Sequence, residues 1–220
     1  HRYETALAYR DFRRRTAEET VEDPPYGYVM SFMVNMHDPG LQVFPTHRVV
    51  HHLEDFDYDR LLDSLAESPV FDITTLPAGL SDSPLELTQR LDTAGEDNPS
   101  FVFMDATGDG LALVEYTGDA SAPIFDEETP SEVRRLDVAI LHEGILDRQL
   151  GVDKAAQEAK TNIEYHKHLD DALDARNRED VQLVILMNPT RVEQVVECCK
   201  SGGVMPQKST YFYPKILSGL

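Results

Sequence analysis

The residues best suited to binding an anion lie in one segment near the carboxyl end of the chain, Gly202-Gly-Val-Met-Pro-Gln-Lys-Ser-Thr210. Gly202 and Lys208 have the spacing of the first glycine and the lysine of a phosphate-binding P-loop, and Ser209 stands where that motif has its hydroxyl. However, Gln207 replaces the second glycine, and the segment joins a predicted helix to a predicted strand, whereas a P-loop joins a strand to a helix. We therefore reject the P-loop interpretation.

The same segment still offers groups that can bind a phosphate or a carboxylate. Lys208, Ser209 and Thr210 supply an ammonium and two hydroxyls, and Tyr213 and Lys215 follow directly. An ammonium has three N–H donors and a full positive charge, and each hydroxyl adds one donor. The residue types alone favour a simpler alternative, in which the segment is a helix C-cap, a loop and an edge strand that contains a proline.

A second candidate anion site involves the dipeptide His-Arg, which occurs twice. His1-Arg2 begins a predicted helix, and His47-Arg48 lies in an apolar segment. The planar guanidinium of arginine suits bidentate contact with phosphate, and a helix N-terminus adds free N–H groups and partial positive charge. Arg2 and Arg48 are therefore candidate phosphate-binding residues. The alternative is that each arginine forms a surface ion pair with one of the many acidic side chains.

Pairs of histidines raise the question of a metal site. His47 and His51 would share one face of a strand, as would His166 and His168, but the sequence shows no third ligand near either pair. His142-Glu143 lacks the second histidine of a His-Glu-x-x-His motif. We therefore expect structural or solvated histidines and assign no metal ligand.

The elements that must position these residues are predicted from hydrophobic periodicity and from turn and capping signals. Helices are expected at 3–15, 56–66, from 84 onwards, at 133–150 and at 190–200. Strands are expected at 28–36 paired with 41–53, at 71–76, at 101–104 paired with 111–114, at 181–187 and at 211–217. The acidic segment 119–130 is predicted to be a surface loop, with a domain linker as the alternative. Interspersed strands and helices predict an α+β fold, a mixed sheet with helices packed on it, in a single unit over residues 1–220.

Composition excludes several classes of protein. The 40 acidic and 20 basic residues give a net charge of −20, which argues against a nucleic-acid-binding surface. No apolar run approaches the roughly 20 residues that a membrane-spanning helix needs. The two cysteines, Cys198 and Cys199, are adjacent, so they cannot close a stabilising loop, and we expect core packing in a reducing compartment. These features predict an acidic, soluble, cytoplasmic protein.

Four segments spread over the chain carry a family resemblance. They are His1-Arg-Tyr-Glu-Thr-Ala-Leu-Ala-Tyr9, Pro45-Thr-His-Arg48, Leu141-His-Glu143 and Met205-Pro-Gln-Lys-Ser-Thr-Tyr-Phe-Tyr-Pro-Lys215. Together they resemble an uncharacterised prokaryotic family, domain of unknown function 1015. Members of that family are longer, and a Gly-His element normally precedes the first segment. The chain therefore resembles the later portion of a member.

The opening His-Arg-Tyr-Glu is also similar to the Gly-x-His-Arg element of the ParB and sulfiredoxin superfamily. Members of that superfamily bind nucleotide phosphates at this turn, and they include free-serine kinases. The resemblance implies a nucleotide-dependent phosphotransferase that acts on a small hydroxylated metabolite such as an amino acid. Its cofactors would be ATP or another nucleotide together with Mg²⁺.

The resemblance also implies roles for the candidate residues. Lys208 would neutralise the charge that moves during transfer, and either Glu4 or His47 would act as the base. The residues expected to bind phosphate or substrate are His1, Arg2, Arg48, Ser209, Thr210, Tyr213 and Lys215.

Two alternatives remain open. The chain could be a non-catalytic module that binds a nucleotide or a small anion and signals to a partner, using the same basic residues. It could also be a structural segment, in which the closing motif fixes a carboxyl-terminal strand in the sheet.

Overall fold

The computed structural model describes residues 2–17 and 22–215, without the side chain of Arg2. The described residues form two compact units. One contains the residues up to Leu41 together with Lys215, and the other runs from Gln42 to Pro214.

The first unit begins with helix α1, Arg2–Thr16, which the spacing of its apolar residues predicts. A short 3-10 helix, Pro25–Gly27, follows. The strand predicted at 28–36 is wrong, because this segment has no regular secondary structure and its side chains are exposed. A strand needs a neighbour to pair its backbone N–H and C=O groups, and the expected neighbour pairs elsewhere.

An antiparallel six-stranded sheet is the centre of the second unit. In chain order its strands are β2 (His47–His51), β3 (Phe71–Thr75), β4 (Ser100–Asp105), β5 (Leu111–Tyr116), β6 (Ile163–His166) and β7 (Val181–Met187). They lie in the order β3-β5-β4-β7-β2-β6. Two short strands, β1 (Gln42–Phe44) and β8 (Tyr211–Tyr213), pair with each other in a separate sheet.

Helices cover both faces of the six-stranded sheet. They are α2 (Tyr58–Ala66), α3 (Pro84–Asp97), α4 (Asp137–Ala139), α5 (Lys154–Ala159), α6 (Leu169–Ala175) and α7 (Val192–Lys200), with a 3-10 helix at Ala78–Asp82. Leu61 and Leu65 of α2 pack in one apolar cluster, whereas Leu87 and Leu91 of α3 pack in the other. Because β7 contributes to both clusters, its residues are apolar on both faces from Leu183 to Met187. The predicted α+β class is confirmed.

The predicted hairpin is confirmed. Phe101 of β4 pairs with Val114 of β5, and Met104 pairs with Leu111. Between the strands, the backbone N–H of Gly108 donates to Oδ1 of Asp105 at 2.7 Å, with Gly108 at φ 81°. Glycine adopts this left-handed conformation without the steric penalty of a side chain.

The sequence predicts two capping boxes, Ser83 with Glu86 and Thr190 with Glu193, and both are wrong in detail. Ser83 precedes α3 as expected, but its side chain makes no capping hydrogen bond. The box predicted between Thr190 and Glu193 lies one residue later, where the N–H of Arg191 donates to Oε1 of Gln194 at 2.9 Å.

The sequence also predicts that Val192, Val195, Val196 and Cys199 form the buried face of helix α7. The structure buries Cys198 and exposes Cys199. Adjacent helix residues point about 100° apart, so the helix presents a different face to the core from the predicted one.

The loop at 119–130 is fixed to the second unit by side chains. The guanidinium of Arg134 donates to the carbonyl oxygens of Thr129, Ala120 and Asp126 at 2.7, 3.1 and 2.8 Å. Ile124 and Phe125 from the loop are buried in the core. The helix predicted from 133 begins later, at Asp137, and continues beyond α4 as a π-helix, Ile140–Asp147.

Candidate functional site

The π-helical segment, Ile140–Asp147, brings His142 and Glu143 to one wall of a pocket in the second unit. π-Helical turns are rare and occur often at functional sites, because the wider turn re-aims side chains. Both carboxylate oxygens of Glu143 accept hydrogen bonds, from the backbone N–H of Asp126 at 2.9 Å and from the hydroxyl of Thr129 at 2.9 and 3.0 Å. Glu143 thereby holds the 119–130 loop at the edge of the pocket.

Behind this wall lies a fully buried arginine, Arg48 of β2. Its Nη2 donates to Nε2 of His142 at 3.0 Å, and its guanidinium lies over the ring of Tyr165, 4.8 Å from the centroid. Nη1 donates to the carbonyl oxygen of Thr46, while Nε is buried without a hydrogen-bond partner. Among the described residues, no carboxylate forms an ion pair with Arg48. A buried cation without a counter-charge is costly, so an anion nearby would be stabilising.

Burial and this guanidinium determine the charge of the nearby histidines. Burial lowers the pKa of Arg48 to about 10, so Arg48 still carries its charge at neutral pH. Burial and the charge of Arg48 lower the pKa of His142 well below its ordinary value. Because arginine only donates, Nε2 of His142 is the acceptor, and the proton of the neutral ring sits on Nδ1.

The pocket has a volume of about 360 Å³, within the range of small-molecule sites. Tyr165 and His142 both line the pocket and both contact Arg48, and we call this side of the pocket its floor. The hydroxyl of Tyr165 donates to the carbonyl oxygen of Gln157 at 3.3 Å, and the amide of Gln157 donates to the carbonyl oxygens of Val152 and His142 at 2.8 and 3.2 Å. The floor is therefore held in place by hydrogen bonds from three elements of the second unit.

Acidic side chains outnumber basic ones in the pocket. The five carboxylates are those of Asp126, Glu128, Glu143, Asp147 and Glu158. Burial and repulsion from Asp126 and Asp153 raise the pKa of the Asp147 carboxyl. The negative charge of Asp147 is therefore less favourable in the folded chain than in water. A bound cation would relieve that repulsion. Carboxylate oxygens of this kind are the ligands that Mg²⁺ takes in proteins.

The ammonium groups of the pocket belong to three lysines, Lys154, Lys160 and Lys208. Lys160 at φ 58° and Lys208 at φ 57° both have the left-handed backbone conformation. Lys160 is the C-cap of α5, a position at which helices usually place glycine. A lysine in this conformation costs about 1 kcal/mol relative to glycine, and such local strain concentrates at functional sites.

Of the candidates proposed from the sequence, the structure places Lys208 in the pocket and Arg48 behind it. His47 is buried beside Arg48 on β2, where its Nδ1 accepts from the backbone N–H of Met187 at 3.3 Å. Burial, followed by the charges of Arg48 and His166, lowers the pKa of His47 to about 4, so its ring is neutral.

The other candidates that the structure describes do not line this pocket. Ser209 is buried, and its hydroxyl donates to the carbonyl oxygen of Pro206. Thr210 is half-buried beside it, and the ring of Tyr213 packs on Phe44 at 5.5 Å. Glu4 lies in α1 and Lys215 belongs to the first unit, and both are exposed. His1 and the side chain of Arg2 lie outside the described residues.

Several residues of the pocket were not found from the sequence. The sequence shows His142-Glu143 as a pair without indicating its role, and no motif marks Lys154, Lys160 or Asp147. No capping signal marks Lys160 in the sequence, because the helix before it ends without a glycine or asparagine.

Comparisons with known proteins give the family and little more. A family model described as "Protein of unknown function (DUF1015)" matches residues 1–139. A comparison with curated proteins finds no match. Among the described residues, no helix has the length and apolar character to cross a bilayer.

The chain is also similar to solved structures. One is a conserved hypothetical protein from Pyrococcus furiosus, 13% identical with a TM-score of 0.45, and the match covers 81% of this chain and 59% of that one. Another is a free serine kinase in complex with AMP, 14% identical with a TM-score of 0.44, covering 81% of this chain and 56% of that one. The chain thus spans less than two thirds of the length of these proteins.

Proposed function

We propose that this chain, which belongs to the DUF1015 family, binds a nucleotide as its Mg²⁺ complex in the pocket of the second unit and takes part in phosphoryl transfer to a small hydroxylated metabolite. The observation that carries the proposal is the composition of the pocket. Five carboxylates and three ammonium groups surround about 360 Å³, next to a buried arginine that has no carboxylate partner among the described residues.

The charge balance distinguishes between classes of ligand. Five negative against three positive side chains leave two excess negative charges in the pocket wall. A free polyphosphate would be repelled by that excess, whereas its Mg²⁺ complex brings oxygen-seeking positive charge together with anionic oxygens. The carboxylates of the pocket can therefore bind the Mg²⁺ of such a complex, and the lysines can bind its phosphate oxygens.

Different residues of the pocket are proposed to bind the metal ion and the phosphates. Asp126 and Asp147 are the proposed Mg²⁺ ligands, because both carboxylates line the pocket and they repel each other in the absence of a cation. Lys160 and Lys208 are the proposed contacts of the phosphate oxygens. When bound, Mg²⁺ would supply charge neutralisation of the phosphates.

Arg48 is proposed as a positioning residue. It is fully buried, so it reaches the ligand only through His142 and Tyr165, which it orients from below. Its uncompensated charge also contributes a positive potential under the floor of the pocket, where an electrostatic interaction is screened less than at the surface.

The test is a thermal-shift titration of the whole chain with Mg·ATP, Mg²⁺ alone and ATP alone. A ligand that binds only the folded state raises the melting temperature by mass action, and we expect Mg·ATP to give the largest rise. Lys208→Met should weaken the Mg·ATP affinity about tenfold, equivalent to about 1.4 kcal/mol. The matched control is Lys200→Met, an exposed lysine at the end of α7 that does not line the pocket.

Turnover separates catalysis from binding alone. Release of ADP from Mg·ATP in the presence of small hydroxy amino acids, reduced in Lys208→Met but not in Lys200→Met, would support the transferase. Binding of Mg·ATP without turnover would favour the non-catalytic module. Equal Mg·ATP affinity in both variants would contradict a role for the pocket.

A further inference from the structure

A second group of candidate ligands lies at the other end of β2 from Arg48. His51, the last residue of β2, places its Nδ1 2.8 Å from Nδ1 of His52. Nδ1 of His52 is 3.7 Å from Oδ2 of Asp180, which directly precedes β7. One donor atom from each of the three residues lies within 4.8 Å of the others.

These separations match those required by a metal ion. Four ligands at about 2.05 Å around a tetrahedral ion are about 3.3 Å from one another. The observed 2.8 and 3.7 Å lie on either side of that value, so side-chain rotations that move these donor atoms by about half an ångström would match both distances. The donors of His51 and Asp180 lie within 4.8 Å of each other.

The backbone around both histidines is already fixed. The N–H of His51 donates to the carbonyl oxygen of Asn162 at 3.0 Å, and the side-chain amide of Asn162 donates to the carbonyl oxygens of His51 and His52 at 3.2 and 2.9 Å. The N–H of His52 donates to the carbonyl oxygen of Asp180 at 3.3 Å. The pairing of β2 with β7 shifts between Val50 and His51, an irregularity of the kind that often re-aims a side chain beside a functional site.

Neighbouring side chains provide a second layer around the three ligands. Nε2 of His51 is 3.8 Å from Oε1 of Glu164, so a carboxylate faces the ring nitrogen opposite the proposed ligand atom. Metal-binding histidines commonly have such a partner, which orients the ring and increases its basicity. Arg178 binds both oxygens of Asp180, at 3.1 and 2.8 Å, and thereby orients that carboxylate. Each carboxylate oxygen has two lone pairs, so Oδ2 can accept from Arg178 and still bind an ion.

We propose that His51, His52 and Asp180 bind a divalent transition-metal ion such as Zn²⁺. Two imidazoles and one carboxylate are typical ligands of Zn²⁺, Co²⁺ and Fe²⁺, whereas Mg²⁺ and Ca²⁺ prefer oxygen ligands alone. The site is distinct from the pocket, because none of its residues lines that pocket.

The exposure of the ligands indicates an open coordination position. The His51 side chain is 11% exposed, that of Asp180 30% and that of His52 65%. A site closed by four protein ligands would bury all of them, whereas three ligands with one exposed side leave a position for water or a substrate.

The test is titration of the metal-free whole chain with Co²⁺, followed by absorption spectroscopy, and then displacement by Zn²⁺. We expect one Co²⁺ per chain with the intense visible bands of a four- or five-coordinate ion. His52→Ala should weaken Co²⁺ binding at least tenfold, and because His52 is mostly exposed the variant should fold normally. Asp180→Asn should weaken it similarly while keeping the shape of the side chain.

The matched control is His37→Ala, which removes an exposed histidine of the first unit. Unchanged Co²⁺ affinity in this control, together with the loss in His52→Ala and Asp180→Asn, would support the site. Equal affinity in the wild-type chain and in His52→Ala would overturn the proposal, as would the absence of stoichiometric Co²⁺ binding by the wild-type chain. Circular dichroism of each variant shows whether a loss of binding comes from loss of the fold.

Discussion

The two ends of β2 place histidines in opposite electrostatic surroundings. At the start of the strand, His142 accepts a hydrogen bond from the buried guanidinium of Arg48, and burial together with the charge of Arg48 keeps both His142 and His47 neutral. At its end, His51 and His52 face the carboxylates of Glu164 and Asp180. The same residue type therefore packs beside a cation at one end of a five-residue strand and beside potential metal ligands at the other. Surroundings, more than residue type, determine what a histidine does.

The largest expected effect is on the pH dependence of stability and comes from His47, at the buried start of β2. The pKa of His47 is about 4 in the folded chain and about 6.5 when unfolded, so the unfolded chain binds more protons between these values. Its contribution to stability is therefore complete above pH 6.5 and is lost as the pH falls towards 4, by up to about 3 kcal/mol. His47→Asn should make the free energy of unfolding less dependent on pH, as measured by urea unfolding at pH 7, 5.5 and 4. Parallel pH profiles for the variant and the wild-type chain would contradict a neutral, buried His47.

A smaller effect on the free energy of unfolding is expected from Tyr165, whose ring packs on Arg48. Tyr165→Leu removes the ring that packs on the guanidinium and the hydroxyl that donates to Gln157, and should lower the free energy of unfolding by about 2 kcal/mol. Tyr165→Phe keeps the ring and should cost about 1 kcal/mol. His52→Ala at the exposed end should change stability by less than about 0.5 kcal/mol. Urea unfolding of the three variants measures these differences in stability. A loss of stability in His52→Ala as large as that in Tyr165→Leu would contradict the difference between the buried and the exposed end of β2.

The sequence predicts some of this arrangement and not the rest. The strand at 181–187 and the hairpin at 101–114 follow from local signals, namely a mostly apolar run and a glycine-containing turn. The contact between Arg48 and His142 joins residues 94 apart, so no local pattern encodes it. The apolar run at 28–36 satisfied the pattern of a strand, yet pairing depends on the edge that a strand meets in the folded chain.

The metal ligands illustrate the same limit. Two adjacent histidines are visible in the sequence, but the third donor comes from the residue before β7, which only the pairing of β2 with β7 brings close. The same limit applies to the pocket. The closing motif predicts a binding role for Lys208, but the acidic residues that line the pocket with it come from distant segments that no local pattern connects to it. Local chemistry can be read from a sequence, but the combination of distant side chains depends on topology.

The smallest expected effect separates stability from ligand binding. Lys160→Gly replaces a left-handed lysine in the pocket, so it should raise the free energy of unfolding by up to about 1 kcal/mol and weaken Mg·ATP binding. Asp55→Gly, at φ 51° outside this pocket, should give a similar gain in stability without changing the affinity. Unfolding and binding are measured on the same preparations. Weaker Mg·ATP binding in both variants would show that the effect does not arise in the pocket.

The most direct measurement of the central claim is calorimetric titration of the whole chain with ATP, with and without Mg²⁺. The excess of carboxylates over ammonium groups in the pocket predicts that Mg²⁺ raises the affinity for ATP at least tenfold, and by reciprocity ATP should raise the affinity for Mg²⁺ by the same factor. Asp147→Asn should reduce this coupling. Equal affinity for ATP with and without Mg²⁺, or tighter binding without it, would contradict a pocket built for a Mg²⁺–nucleotide complex.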